Sequence, residues 1–184
     1  MDDTDANRAV APIISTILLV AIVVILAAVI SVFVLDLGEQ TTESGPAVSE
    51  SSGTFEAFQS GSDEQIVRIR HVAGDTLDTE NLEVVVDASD ACGKTGRIVN
   101  LPLGSVGASN TINQGNVEGD DIFDNSAGAV DHGALDAETY TAGDVIRFRI
   151  AKGDCTVQRD ESLVVRVVHT PTNTVVIKKT LQAA

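Results

Sequence analysis

Residues 8–38 read RAVAPIISTILLVAIVVILAAVISVFVLDLG. Between Val10 and Leu35 no side chain is charged, and Ser15, Thr16 and Ser31 carry the only hydroxyls. At about 1.5 Å per helical residue, roughly 20 apolar residues cross a hydrocarbon core of about 30 Å, so the run is long enough to span a bilayer with some tilt. Its apolar residues fall on every face, which excludes an amphipathic surface helix. The uninterrupted length argues against a buried core helix. Pro12 reads as a first-turn residue, where a missing N–H costs nothing and the fixed φ suits the helix. Asp36 and Gly38 mark the far end. Ala21, Ala27, Ala28 and Ser31 are small positions that another helix could approach closely. The expectation is a membrane or packing helix over residues 10–38.

The flank before it is MDDTDANR, with three Asp against one Arg and the terminal amine. A conventional secretory signal has a positive n-region, a shorter apolar core and a small-x-small site after that core. None of these fits, and Val34-Leu35-Asp36-Leu37-Gly38 offers no clean cleavage pattern. Arg8-Ala9 directly before the apolar run is instead the layout of a class III, prepilin-type signal, cut ahead of the hydrophobic segment. The whole stretch resembles the N-terminal region of haloarchaeal type IV pilins. In that family a basic and a small residue precede Val-Ser-Pro-Val-Ile-Gly and a long aliphatic run ending Phe-Val-Leu-x-Leu-Gly.

That resemblance implies a processing site at Arg8, Ala9 and Val10, with a prepilin peptidase cutting between Ala9 and Val10. Ala11 stands where the family usually has Ser, and Ser15 where it has Gly. Bacterial pilins carry a glutamate five residues into the mature chain; Ile14 holds that place here, and the archaeal branch also lacks the glutamate. The resemblance further implies membrane residence before assembly, then a filament with copies of itself and other pilins at the cell surface, supporting adhesion. The physics is compatible. A helix apolar all round is stable in lipid or among its own copies, and an uncut leader would carry Asp2, Asp3 and Asp5 into that core, where unpaired charge is costly. Cleavage would leave 24 acids against 11 bases, a net charge of −13.

Across the 184 residues, 27 acids face 12 bases, a net charge of −15. Such a chain repels phosphate, which argues against nucleic acid and anionic headgroups as partners. A dense carboxylate surface is also what high external salt tolerates through screening, so the composition reads as halophilic. Cys92 and Cys155 lack a second Cys or His at ligand spacing; outside the cell such a pair favours a disulfide, and two free thiols remain open.

Residues 39–53 (EQTTESGPAVSESSG) read as a solvated linker. From residue 54 to 184, short β-branched runs alternate with turn residues: Thr54–Gln59, Gln65–Val72, Leu82–Asp87, Ile98–Leu103, Asp144–Ala151, Ser162–His169 and Thr174–Thr180. Ile146, Phe148 and Ile150 alternate with Arg147 and Arg149, the period of a half-buried strand. Pro171-Thr172-Asn173 predicts a turn joining the last two strands into a hairpin. The expected fold is an N-terminal hydrophobic α-helix plus an all-β outer domain, an antiparallel β-sandwich, and the pilin resemblance implies that this sandwich is immunoglobulin-like. A long loop near residues 104–143, rich in Gly, Asn, Asp and Ser, reads as an exposed functional or mobile insertion, with room for a short hairpin.

Candidate chemistry is sparse. Asp120, Asp121 and Asp124, with Asp131 and Asp136 nearby, could in principle gather around calcium, but the spacing is not that of an EF-hand and solvated acidic surface is the better reading. His71, His132 and His169 are isolated from one another, and His71 and His169 read as strand residues. No catalytic triad, phosphate loop or paired ligand motif appears, so no enzyme, cofactor or metal is expected. Arg68, Arg70, Arg147 and Arg149 are expected to meet carboxylates on a sheet face. The rival to a filament subunit is a membrane-tethered extracellular binding protein that never polymerises.

Overall fold

A computed structural model of the chain describes residues 4–39, 45–57, 65–104, 111–125 and 131–184, with helix side chains described over 12–31. The chain divides into two compact units, residues 1–43 and 44–184. In the first, one helix, α1, runs Thr4–Glu39 over 36 residues. It starts six residues before the expected boundary, so Pro12 lies inside the helix and not in its first turn. Its length is about 54 Å, well beyond the hydrocarbon thickness its apolar part needs.

The second unit is all-β apart from single turns of helix. Its strands are β1 (Val48–Phe55), β2 (Ile66–Gly74), β3 (Leu77–Asp78), β4 (Leu82–Ala88), β5 (Lys94–Ile98), β6 (Val117–Gly119), β7 (Thr139–Tyr140), β8 (Val145–Arg149), β9 (Ser162–His169) and β10 (Thr174–Gln182). One short helix, α2 (Ser89–Cys92), follows β4 and ends on Gly93 in the left-handed region. The strands form sheets of order β1-β2-β8 and β10-β9-β4-β5-β6, with a small β3-β7 pair; every strand pairing is antiparallel.

Alternation drives these pairings. Burial in β4 and β9 follows a period of two. The register sets Val84 opposite Val167 and Val86 opposite Val165, all four fully buried. In the other sheet Val67 faces Phe148 and Ile69 faces Ile146, also buried. Cross-strand pairs of this kind are the unit of sheet stability. Residues from both sheets join one core cluster, in which Phe123 meets Phe148 edge-on at 5.7 Å. The expected β8 alternation holds: Ile146, Phe148 and Ile150 are buried, and Arg147 and Arg149 lie on the opposite, partly exposed face. The expected hairpin of the last two strands is β9–β10.

Three expectations need correction. Residues 48–53 of the supposed linker belong to β1, a strand so polar (VSESSGTF) that composition hid it; residues 40–44 fall outside the described residues. The run expected at Ile98–Leu103 is displaced, the strand there being β5, Lys94–Ile98. Leu101 and Leu103 are buried in the loop beyond it, where Pro102 has no N–H to give a ladder.

The third correction concerns residues 104–143. The described parts are packed, with Ile112, Ile122, Phe123 and Leu135 at 0–2% exposure; Val130 lies outside the described residues. Two segments close the open edge of β8. Asp124 N donates to Arg149 O (3.0 Å) and Ala151 N to Ile122 O (2.8 Å), while Arg147 N donates to His132 O (3.1 Å) and Ala134 N to Val145 O (3.0 Å). Glycine makes the approach feasible: a Cβ on Gly133 would sit 2.0 Å from Val145 O, and one on Gly96 would sit 2.6 Å from Asp120 O and 2.9 Å from the Phe123 ring. An uncovered edge would invite pairing with other chains.

Candidate functional site

The sequence points to two places, the helix with its leading flank and the cysteine pair, and the structure defines each. Pro12–Ser31 forms a 20-residue span of mean hydropathy 3.3, none of it buried among the described residues. Each large apolar side chain from Ile13 to Ile30 is 47–64% exposed. At about 1.5–3 kcal/mol per fully buried side chain, leaving thirteen such groups in water costs on the order of 20 kcal/mol. A partner or lipid must therefore cover this helix. Its hydroxyls add little to that cost, because Thr16 Oγ1 donates to Ile13 O (2.9 Å) and Ser31 Oγ to Ala27 O (2.8 Å), both within the helix.

Arg8, Ala9 and Val10 lie in helical backbone, and their side chains fall outside the described residues. Pro12 follows four residues after Arg8, so position 12 supplies no N–H to the Arg8 carbonyl, and a pyrrolidine ring crowds the carbonyl four residues back. The flank and the apolar span are thus one continuous helix with a built-in weak joint.

Cys92 Sγ and Cys155 Sγ are bonded, with the Cα atoms 5.5 Å apart and a sequence separation of 63. The bridge ties α2 to the loop after β8. Beside it, Gln65, fully buried and held at φ 58°, uses all of its amide: Nε2 donates to Ile150 O and Cys155 O (both 3.0 Å), and Oε1 accepts from Val157 N (2.6 Å).

The acidic candidates are put to use inside the domain. Asp120 Oδ2 accepts from Thr95 N (2.9 Å), Asp124 pairs with Arg149 (3.1 Å, both side chains under 20% exposed), and Asp131 accepts from Gly133 N (3.0 Å) and faces Arg147 at 3.5 Å. Burial pushes Asp136 above the usual carboxylate range. Among the described residues no three His, Cys, Asp or Glu side chains gather as metal ligands. The arginines behave as their alternation implies. Arg68 pairs with Glu56, Arg147 with Asp131 and Arg149 with Asp124, while Arg70 donates to Gly143 O (2.9 Å). His132 Nδ1 contacts Arg147 O (3.1 Å) and His169 Nδ1 contacts Thr172 Oγ1 (2.7 Å). His71 is fully buried in β2, 5.2 Å from the Tyr140 ring. The Tyr140 hydroxyl donates to Ile69 O (3.0 Å), and burial raises its pKa above the ordinary value.

Comparison with known proteins turns on the helix. The family described as archaeal type IV pilin, N-terminal, matches residues 8–49. An uncharacterized protein of Archaeoglobus fulgidus is 33% identical over 109 residues, covering 58% of this chain and 72% of that protein. Over residues 8–49, and so over the apolar span of the helix, the chain is similar to the archaeal type IV pilin N-terminal family. The pilin match opens on Arg8 and closes at the start of β1, so it holds the whole apolar span and stops short of the outer domain's core. The outer domain must therefore be understood from its own chemistry, and the places of two residues, Gln65 and Pro12, are not legible in the sequence. Gln65 gave no signal beyond a polar residue at a strand start. Pro12 reads as a first-turn residue, and the structure starts the helix eight residues before it.

Proposed function

We propose that this chain is the structural subunit of an archaeal type IV pilus-like surface filament. It enters the membrane through α1 as a single-pass protein with the outer domain outside the cell. A prepilin peptidase then cuts between Ala9 and Val10, and the mature subunit leaves lipid for a filament core built from the apolar helices of its copies and of other pilins. The observation that carries this reading is the family match over the helix, joined to a span whose large apolar side chains find no cover within the chain. The acidic outer domain, tolerant of high salt, would then be displayed along the filament and support surface adhesion. No enzymatic step is assigned to it.

Two measurements test the reading. Mass spectrometry of the mature protein is expected to find Val10 as the N-terminal residue; intact Met1, or a cut beyond Leu35, overturns it. Shearing cells is expected to release the protein with filaments, whereas retention of all of it in the membrane fraction favours a permanently tethered binding protein.

A further inference from the structure

We infer that Pro12 is the residue that opens the Ala9–Val10 peptide bond to its peptidase. This rests on the processing site proposed above. A peptide bond inside an α-helix is protected, since its flanking N–H and C=O groups are tied up in the i to i−4 ladder and hydrolysis needs the segment locally unwound. Here α1 runs unbroken from Thr4 through the proposed cut to Glu39. A uniform helix would shield this bond as well as any other in it.

Proline weakens the helix at one place, so that the turn there unwinds at lower cost. Lacking an N–H, Pro12 leaves Arg8 O without the donor a helix would bring from position 12, and its ring crowds that same carbonyl. Pro12 also biases Ala11 away from helical backbone. The disturbed turn is therefore residues 8–11, and the Ala9–Val10 bond lies in its middle. In the reaction, water adds to the Ala9 carbonyl carbon and the C–N bond breaks. The leader leaves with the Ala9 carboxylate and the mature chain with the Val10 amine, which takes up the proton. In the product Pro12 is the third residue and sits in a first turn whose N–H groups have no intrahelical partner anyway, so the defect of the precursor becomes a favourable start for the mature helix. Pro12 is a positioning residue: it acts on the backbone and not on the reacting atoms. In a helix Ala9 O takes its hydrogen bond from Ile13 N and Val10 N gives one to Ala6 O, so Pro12 acts by lowering the cost of unwinding the turn that holds both groups and not by freeing either directly.

The test is the rate at which full-length precursor is cut by the prepilin peptidase in membranes, with the new N-terminus read by mass spectrometry. Wild-type chain is compared with Pro12→Ala and Pro12→Gly. Alanine restores the N–H and is the best helix former; glycine restores the N–H but weakens the helix. Cleavage is expected to slow about tenfold or more in Pro12→Ala and to fall in between for Pro12→Gly. Equal rates for wild type and Pro12→Ala overturn the inference. So do equally deep losses in both variants, which would mean that the peptidase reads the ring itself. If wild-type chain is not cut at Ala9–Val10 at all, the processing site fails instead, and the two failures are told apart by the wild-type spectrum alone.

Discussion

From Ile13 to Ile30 the helix leaves every large apolar side chain about half exposed, while in the outer domain Val84, Val86, Val165 and Phe148 reach 0%. Both regions are built from the same aliphatic residues. The outer domain gathers its own on two sheets, covers the β8 edge with its own loop segments and locks one side with a disulfide. The helix gathers no apolar cover of its own among the described residues, and the hydroxyls of Thr16 and Ser31 bond within it. The difference teaches where each region's stability resides. The domain's free energy belongs to one chain, whereas the helix's belongs to whatever surrounds it, which is the property a subunit passing from lipid to filament requires. Mutations should therefore separate cleanly: helix changes should act on assembly, domain changes on folding.

The largest effect expected is that of Val24→Asp. A carboxylate at the centre of a membrane helix costs about 2.5–3.5 kcal/mol on insertion scales, and it would recur in every copy of a filament core. Sheared fractions should contain no filaments from this variant, with the denaturation midpoint of the outer domain unchanged. Normal filaments would break the comparison at its root.

Next in size is the double change Cys92→Ala with Cys155→Ala. In the chain-entropy account, opening a loop of 63 residues lowers stability by about 4 kcal/mol. The loss should appear in denaturant unfolding of the full chain in detergent, while membrane insertion stays at wild-type levels. Insertion failing together with folding would mean the two regions are not independent.

Gln65→Ala should cost less, about 1–3 kcal/mol, because it strands Val157 N and two carbonyls inside the core. Amide exchange should rise first around residues 150–157. If only global unfolding shifts, the glutamine is not the local clamp its geometry describes.

What the sequence makes legible follows from the same division. The helix is legible because lipid imposes one rule, apolarity over about 20 residues, and the run obeys it with no charged residue between Val10 and Leu35. Strands buried on alternate positions are nearly as clear: β9 is Ser162–His169 in sequence pattern and in structure alike. Strands whose partners supply the reason for their existence are not. β1 is mostly Ser, Glu and Gly, and pairs because β2 offers an edge. The loop before Gly143 looks polar because its few apolar residues are spaced by contacts with β8 and not by any period. Strand order, and Pro12's place inside a helix, depend on backbone that continues beyond the pattern, so neither is readable from local chemistry.

The smallest effects, and the sharpest check that the outer domain carries its own electrostatics, come from two aspartates perturbed in opposite directions. Asp87 is held below its ordinary 3.8 mainly by hydrogen bonds from the Ser89 hydroxyl and amide, helped by Arg166. Its folded form prefers the carboxylate, so its contribution is present above the ordinary value and is lost as pH falls through the lowered one. Asp136 is raised by burial, with Oδ1 finding no partner among the described residues. Its folded form prefers the proton, so its contribution is present at low pH and is lost as pH rises through the raised value. At neutral pH, Asp87→Asn should lower stability and Asp136→Asn should raise it, each by about 0.5 kcal/mol. On acidification below about pH 4, Asp87→Asn should flatten the fall in stability. Asp136→Asn should steepen it, because the gain from protonating that buried carboxyl is gone. Thermal unfolding from pH 7 to 3 reads both. The same sign of change in the two variants would show that overall charge, and not these local contacts, governs the domain's response to acid.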